Sequence, residues 1–317
     1  MDKKTSHLED QSFLKQRTAI ALRSSIHTPS NILKLARMLD GSGIITSVFI
    51  PDIPSGFDSI EISAGALGCT QKLMAGSGVM RLLEYDEKQT LRRLEAIQAL
   101  SENRFILGVG TGSPGRNPGE IIESLLRRLS SMKKHFSALD SSLELKPPLI
   151  YIATLKLGIA RKVADQSDGI LLNFCSPEYA KDLISHVGRE GLDCGCYLKV
   201  FYSRNREIAE RLLVEEFVKY DSLDQYHRMF ELDGIVGAIK EAKENFASTS
   251  GTKKIPEPLL NISLANPSES ELRDYVRRYR EAGVTLPCIY PYFSTREDPR
   301  YIFETIGKIN QTVAGPS

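Results

Sequence analysis

An α/β fold built on eight parallel strands is what this sequence predicts, and three observations carry the prediction. Short apolar runs of strand length recur along the chain, each followed by a longer stretch whose apolar residues fall at helical spacing. Around the chain's middle these runs begin about 20 residues apart, as consecutive βα units do. The length, 317 residues, exceeds an ordinary domain yet suits one α/β barrel, typically of about 250 residues.

Residues 1 to 17 are polar with scattered apolar side chains, and we expect a loosely held arm before one domain over 18 to 317. Thr18 to Leu22 is the first strand, followed by the loop Arg23 to His27 and a helix marked by Ile32, Leu35, Ala36 and Leu39. Thr46 to Ile50 is the second strand, closed by the turn Pro51 to Gly56, with a helix from about Ser59 to Gly68. Lys72 to Val79 reads as a third strand whose glycines make it bent, with a bulge near Gly78. Asp86 caps a helix with Leu91, Leu94, Ile97 and Leu100 on one face.

The stretch Arg104 to Glu120 organises the rest. Phe105, Ile106, Leu107 and Val109 form a strand buried on both faces, and Gly108, Gly110 and Gly112 let backbone approach a planar ligand or make a tight turn. Asn117 is placed to cap a helix, Pro118 suits its first position, and Glu120 completes a capping box. Gly110 to Gly115 also matches the dinucleotide fingerprint, but no second strand follows in time, the next waiting until Leu149, and this disfavours a Rossmann site. Leu149 to Ala153, Gly169 to Asn173 and Tyr197 to Tyr202 are further strands, with helices from about Gly158 to Gln166 and from Pro177 to His186. A helical insertion, roughly 204 to 246, reads as two helices broken at Asp221 to Asp224. Ser268 caps a last helix carrying Leu272, Tyr275 and Tyr279, and Val284 to Phe293 is the eighth strand.

Lys and Arg number 41 against 40 Asp and Glu, so no overall field points to nucleic acid or a membrane surface. Five cysteines, an odd number, suit a reducing compartment, and Cys194 with Cys196 are too few ligands for a closed metal site. No apolar run approaches the ~20 residues of a membrane span. We expect a cytoplasmic homodimer acting on a small molecule. Eight alternating strands make a TIM barrel, where function collects at the C-terminal strand ends. Those ends are Arg23 to His27, Asp52, Gly78 to Arg81, Thr111 to Arg116, Ala153 to Ile159, Asn173 to Phe174, Tyr202 to Ser203 and Tyr290 to Phe293.

Several ordered pieces, spread over roughly residues 18 to 293, resemble the bacterial luciferase-like family of flavin monooxygenases and deazaflavin reductases. They are Phe49 to Asp52, Ala66 to Val79, Ala96 through Gly112, Pro148 to Ala153 and Asp168 to Asn173. The resemblance implies a cofactor ring at the mouth of a TIM barrel, coenzyme F420 in first place and FMN as the alternative. It implies a cofactor contact for Asp52 and a cis peptide at Gly78–Val79 backing the ring. It places Thr111 and Gly112 beside the cofactor, and Leu155, Lys156, Gly158 and Ile159 around its phosphate-bearing side chain. Arg81 and Arg116 stand where an anionic tail would lie, or are surface charge.

Departures from the pattern concern acid and base groups. Ile53 stands where the reductases often have a histidine, Ser113 where they have an acid, and the first strand runs into Arg23. Arg23, His27 and Ser113 are therefore the catalytic candidates, Arg23 as a clamp for an anionic substrate. The resemblance implies an oxidoreductase that passes a hydride to a small organic substrate; an FMN-dependent monooxygenase or a diverged, non-catalytic binding barrel are the alternatives. Without the usual proton donors, acceptors that already carry their proton, an iminium or activated alkene, are expected. A β-branched residue at Gly78 is expected to impair binding more than stability.

Overall fold

Strands that are apolar on both faces need cover on both, and a closed barrel wrapped in helices supplies it. The computed structural model describes residues 17–110, 118–248 and 253–313. β1 (Thr18–Ala21), β2 (Ile45–Ile50), β3 (Met74–Met80), β4 (Phe105–Val109), β5 (Leu149–Ala153), β6 (Gly169–Asn173) and β7 (Asp193–Tyr202) each pair in parallel with the next. A two-residue β8 (Leu264–Ala265) pairs with Val200 and Phe201 of β7, above the point where β6 ends. β9 (Leu286–Phe293) lies between β7 and β1 and closes the eight-stranded ring. The fold is a (β/α)8 TIM barrel with one accessory strand.

α1 (Pro29–Asp40), α2 (Ser59–Gly68), α3 (Glu87–Ser101), α4 (Pro118–Ser137), α5 (Leu157–Ala164) and α6 (Pro177–Val187) follow β1 to β6 in turn. Local chemistry starts them: Thr28, Asp58, Asp86 and Ser176 each accept an amide of the first turn, and Pro29 and Pro177 occupy first positions. The longest insertion falls between β7 and β9. It holds α7 (Arg206–Asp221), α8 (Asp224–Leu232), α9 (Val236–Ala247) and the four-residue α10 (Glu257–Leu260), before α11 (Glu269–Glu281) returns to the ring. Ser268 and Glu271 close a reciprocal capping box on α11.

Four details differ from the sequence expectation. The insertion has a second break because Gly234, at φ +68°, ends α8 before α9 begins. α12 (Pro299–Val313) follows β9 and was not anticipated; Ile302, Ile306 and Ile309 bury its inner face beside α11 and α1. β7 starts at Asp193, so Cys194 and Cys196 lie inside the strand and are buried rather than preceding it. Leu100 is 75% exposed while Gln98 is buried, because Gln98 donates to the Lys146 carbonyl at 2.8 Å and accepts from the Phe105 amide at 3.2 Å. Satisfying that amide pair turns the helix face away from the simple apolar count. At the opposite end from the mouth, Asp193 gathers Arg17, Tyr151 and Thr285.

Candidate active site

The floor of the mouth comes from a mismatch between β3 and β4. Ser77 is opposite Leu107 but Met80 is opposite Val109, so β3 carries an extra residue as a bulge, and the Gly78–Val79 peptide within it is cis. Three hydrogen bonds hold it: Tyr197 Oη donates to the Gly78 carbonyl at 3.1 Å, Ser77 Oγ to the Gly108 carbonyl at 2.8 Å, and the Gly110 amide to the Met80 carbonyl at 2.9 Å. The glycines of β4 are explained here. A Cβ on Gly108 would lie 2.1 Å from the Ser77 carbonyl oxygen, and one on Gly110 3.0 Å from Val79 Cγ2. Gly108 is thus required by the neighbouring strand and not by a ligand.

Above this floor opens a cavity of about 460 Å3, inside the size range of small-ligand sites. On one side stand Asp52, Ile53 and Arg81. Asp52 is half-buried; burial and then the nearby Asp58 charge raise its pKa above the ordinary carboxylate value, with Arg81 and Tyr85 opposing. Tyr85 Oη donates to Asp52 Oδ2 at 3.4 Å, and Arg81 pairs with Glu84 at 3.0 Å. Beyond β5, Leu155 lines the cavity and its carbonyl accepts from Tyr179 of α6. Lys156 and Gly158 are exposed at the start of α5, no side chain caps that helix, and a Cβ on Gly158 would meet nothing within 4 Å. Ile159 is half-buried against the core.

The roof is α7, α8 and the turn between them, where Tyr220, Leu223, Gln225 and Tyr226 line the cavity. Asn173, at the end of β6, donates from Nδ2 to Tyr226 Oη at 2.7 Å and to Tyr220 Oη at 3.4 Å, leaving its buried Oδ1 without a partner. Behind Tyr220 is a charged pair. Lys199 of β7, fully buried, donates to Glu216 of α7 at 2.7 Å, and Tyr292 of β9 donates to the same carboxylate oxygen at 2.6 Å. Lys199 Nζ also sits 3.5 Å from the Tyr220 ring centre and 4.2 Å from that of Phe174. Burial opposes the Glu216 charge, but Lys199 and the two hydrogen bonds outweigh it and hold its pKa below the usual value.

The structure therefore brings together Asp52, Gly78, Val79, Arg81 and Leu155 around one cavity, with Lys156, Gly158 and Ile159 just beyond. Arg23 and His27 do not line it. Arg23 lies against the Tyr292 ring, 5.0 Å from its centre, and His27 is buried edge-on to Phe293. Burial first and the Arg23 charge second push the His27 pKa down to about 4, so it is neutral at neutral pH. Thr111, Gly112, Ser113 and Arg116, with the cap Asn117, lie outside the described residues. Lys199, Glu216, Tyr220 and Tyr226 were missed from sequence. One signal was there: a lysine amid Tyr197, Leu198, Val200 and Phe201 in a strand buried on both faces must find a partner. A second cavity, about 350 Å3, lies at the ends of β7 and β8 against α12, lined by Arg204, Asn266, Tyr301 and Lys308.

The class that fold and site define is a TIM barrel with a cavity of small-ligand size over a β3 bulge, at the C-terminal mouth of the ring and roofed by the β7–β9 insertion. Solved structures agree. An F420-dependent secondary alcohol dehydrogenase in complex with an F420-acetone adduct is similar at TM-score 0.67 and 13% identity, over 94% of this chain and 99% of that one. The coenzyme F420 dependent tetrahydromethanopterin reductase of Methanopyrus kandleri is similar at TM-score 0.62 and 13% identity, over 92% and 96%. The oxygenating constituent of 3,6-diketocamphane monooxygenase from Pseudomonas putida, a type II Baeyer-Villiger monooxygenase in complex with FMN, gives 0.64 and 15%, over 95% and 98%. No family model and no curated protein matches the chain. At these identities the likeness establishes the fold.

Proposed function

We propose that this protein is a luciferase-like oxidoreductase that holds a deazaflavin of the coenzyme F420 kind, or in second place FMN, and passes a hydride to a small organic substrate. The observation that carries the reading is the cavity over the Gly78–Val79 bulge, with Gly110 beside it. Its floor presents few side chains, which suits a flat ring, and Asn173 stands in its wall. The residues present fit such a group. When bound, the reduced cofactor supplies the hydride.

The chain's own residues then have separable tasks. Val79 and the Tyr197-tied Gly78 would support the ring, and Asp52 and Arg81 would offer it polar contacts. The uncapped start of α5, with Lys156 and Gly158 exposed, suits an anionic side chain, to which the amides of a first turn donate. Leu223, Tyr226 and Tyr290 keep water from the reacting side. Similar structures are described with F420 in one case and FMN in another, which supports this class of cofactor and motivates testing both. A cytoplasmic homodimer completes the proposal, to be checked by light scattering.

The test is direct. Oxidised F420 and FMN are titrated onto the purified protein by fluorescence quenching, and the reduced complex is then mixed with ketone, iminium and enoate acceptors. We expect saturable binding of one cofactor and acceptor-dependent reoxidation. Binding of neither sinks the whole reading; binding with no acceptor faster than buffer leaves a non-catalytic barrel.

A further inference from the structure

Of the catalytic candidates read from sequence, Arg23 and His27 do not line the cavity, and Ser113 lies outside the described residues; Ile53, which does line it, is aliphatic. The roof supplies another. Four tyrosines line the cavity, Tyr197, Tyr220, Tyr226 and Tyr290. Tyr197 is engaged with the Gly78 carbonyl, and burial pushes the phenols of Tyr197, Tyr226 and Tyr290 up. Tyr220 differs. Burial, the largest influence, and the Glu216 charge disfavour its phenolate, but the Lys199 charge beneath the ring and the hydrogen bonding of Asn173 and Lys199 together draw its pKa below the ordinary tyrosine value.

Resting on the proposed hydride transfer, we propose that Tyr220 is the catalytic acid of this site, giving its phenolic proton to the oxygen of a carbonyl substrate, with Lys199, Glu216 and Asn173 as positioning residues. The step balances. The carbonyl carbon gains a hydride and its two electrons from the reduced deazaflavin or flavin, which is oxidised. The C=O π pair moves to oxygen, oxygen takes the proton from Tyr220 Oη, and an alcohol and a phenolate result. Solvent reprotonates the phenolate.

On balance the surroundings of Tyr220 favour that phenolate, against its burial and the Glu216 charge. From β7 comes Lys199, from β6 the Asn173 amide that donates to Oη, and from α7 itself Lys219, 5.7 Å from the ring centre. Arg23, on the loop after β1, faces the same cluster through Tyr292. Among the described residues Glu216 is the one carboxylate of the cluster, and Lys199 and Tyr292 already engage it. From α8 and β9 come only neutral phenols, Tyr226, Tyr290 and Tyr292. With a proton donor in the roof, ketones and aldehydes join the acceptors, beyond the iminium and alkene classes expected from sequence.

Tyr220→Phe removes the hydroxyl and keeps the ring, so a long hydrogen bond from Asn173 and the polar contact with Lys199 are lost and the fold should survive. In the cofactor-free protein, ultraviolet titration of tyrosinate should show one early transition among twelve tyrosines, absent in Tyr220→Phe. The double variant Lys199→Met with Glu216→Gln, which leaves no unpaired charge, should move that transition up into the others. In single turnover, Tyr220→Phe should slow reduction of a ketone by about 100-fold or more while an iminium acceptor changes by less than about 3-fold. Cofactor affinity should stay the same. Equal loss with both acceptors, no loss with the ketone, or an early transition that survives Tyr220→Phe each overturns the assignment. A parent that reduces neither acceptor overturns the hydride-transfer reading itself, and this one with it.

Discussion

Lys199 Nζ donates to Glu216 Oε1 at 2.7 Å, joining the inner wall of the barrel to the helix that roofs its mouth. The lysine has no exposed surface, and the carboxylate is nearly as buried. Such a pair couples the position of Tyr220, one turn along α7 from Glu216, to the barrel itself.

Removing one partner of a buried pair leaves a charge without compensation, at about 3–5 kcal/mol. Glu216→Ala should therefore destabilise the protein by that amount. Lys199→Met combined with Glu216→Leu should cost much less, since no charge is left behind. Urea denaturation of the parent and both variants checks this; a single-variant cost under about 1 kcal/mol would show a solvated pair.

Gly78 is the second test. A Cβ there would stand 1.9 Å from Tyr197 Oη and 3.1 Å from Phe49 Cβ. Both neighbours are buried, so Gly78→Ala should cost about 1–3 kcal/mol in stability by overpacking. Cofactor titration of the same variant weighs this cost against the expectation from sequence that a β-branched residue here impairs binding more than stability. Adding Tyr197→Phe should recover part of the loss, and no recovery in the double variant would place the clash elsewhere.

His27 makes stability depend on pH. Its pKa falls from 6.5 to about 4 on folding, so below pH 6.5 the unfolded chain binds a proton that the native one refuses. The sign is a loss of stability as pH drops from about 6.5 to about 4, of order 3 kcal/mol. His27→Phe, which can still pack on Phe293, should lack this component. Denaturation midpoints across that range for both proteins decide it; parallel curves would refute the buried neutral imidazole.

Asp52 lines the cavity and Arg23 does not. Asp52→Ala should weaken the bound cofactor by about ten-fold or more, the scale of a lost charged hydrogen bond. Arg23→Ala should leave cofactor affinity within about two-fold and instead alter the environment of Tyr292 and Glu216. Equilibrium titration with F420 and FMN measures both, and a larger loss for Arg23→Ala would reverse the assignment of the two sides of the mouth.

Much of this protein was legible in its sequence because the signals are local. The alternation of strands and helices, the caps at Asp86 and Ser268, and the bent third strand at Gly78 all rest on spacing and backbone chemistry within a few residues. The position of Asp52 at a strand end followed from the same count. Tertiary structure decided the rest. Gly108 exists for a carbonyl on the next strand, Leu100 is exposed because Gln98 serves a distant carbonyl, and Arg23 lies against Tyr292 instead of facing the cavity. Tyr220 and Glu216 sit in an insertion with no strand-end position to recommend them, and Lys199 meets them only once the barrel has closed and α7 has folded over it. Periodicity specifies which residues share a face; which faces meet depends on closure of the ring, and that is set by contacts between residues far apart in the chain.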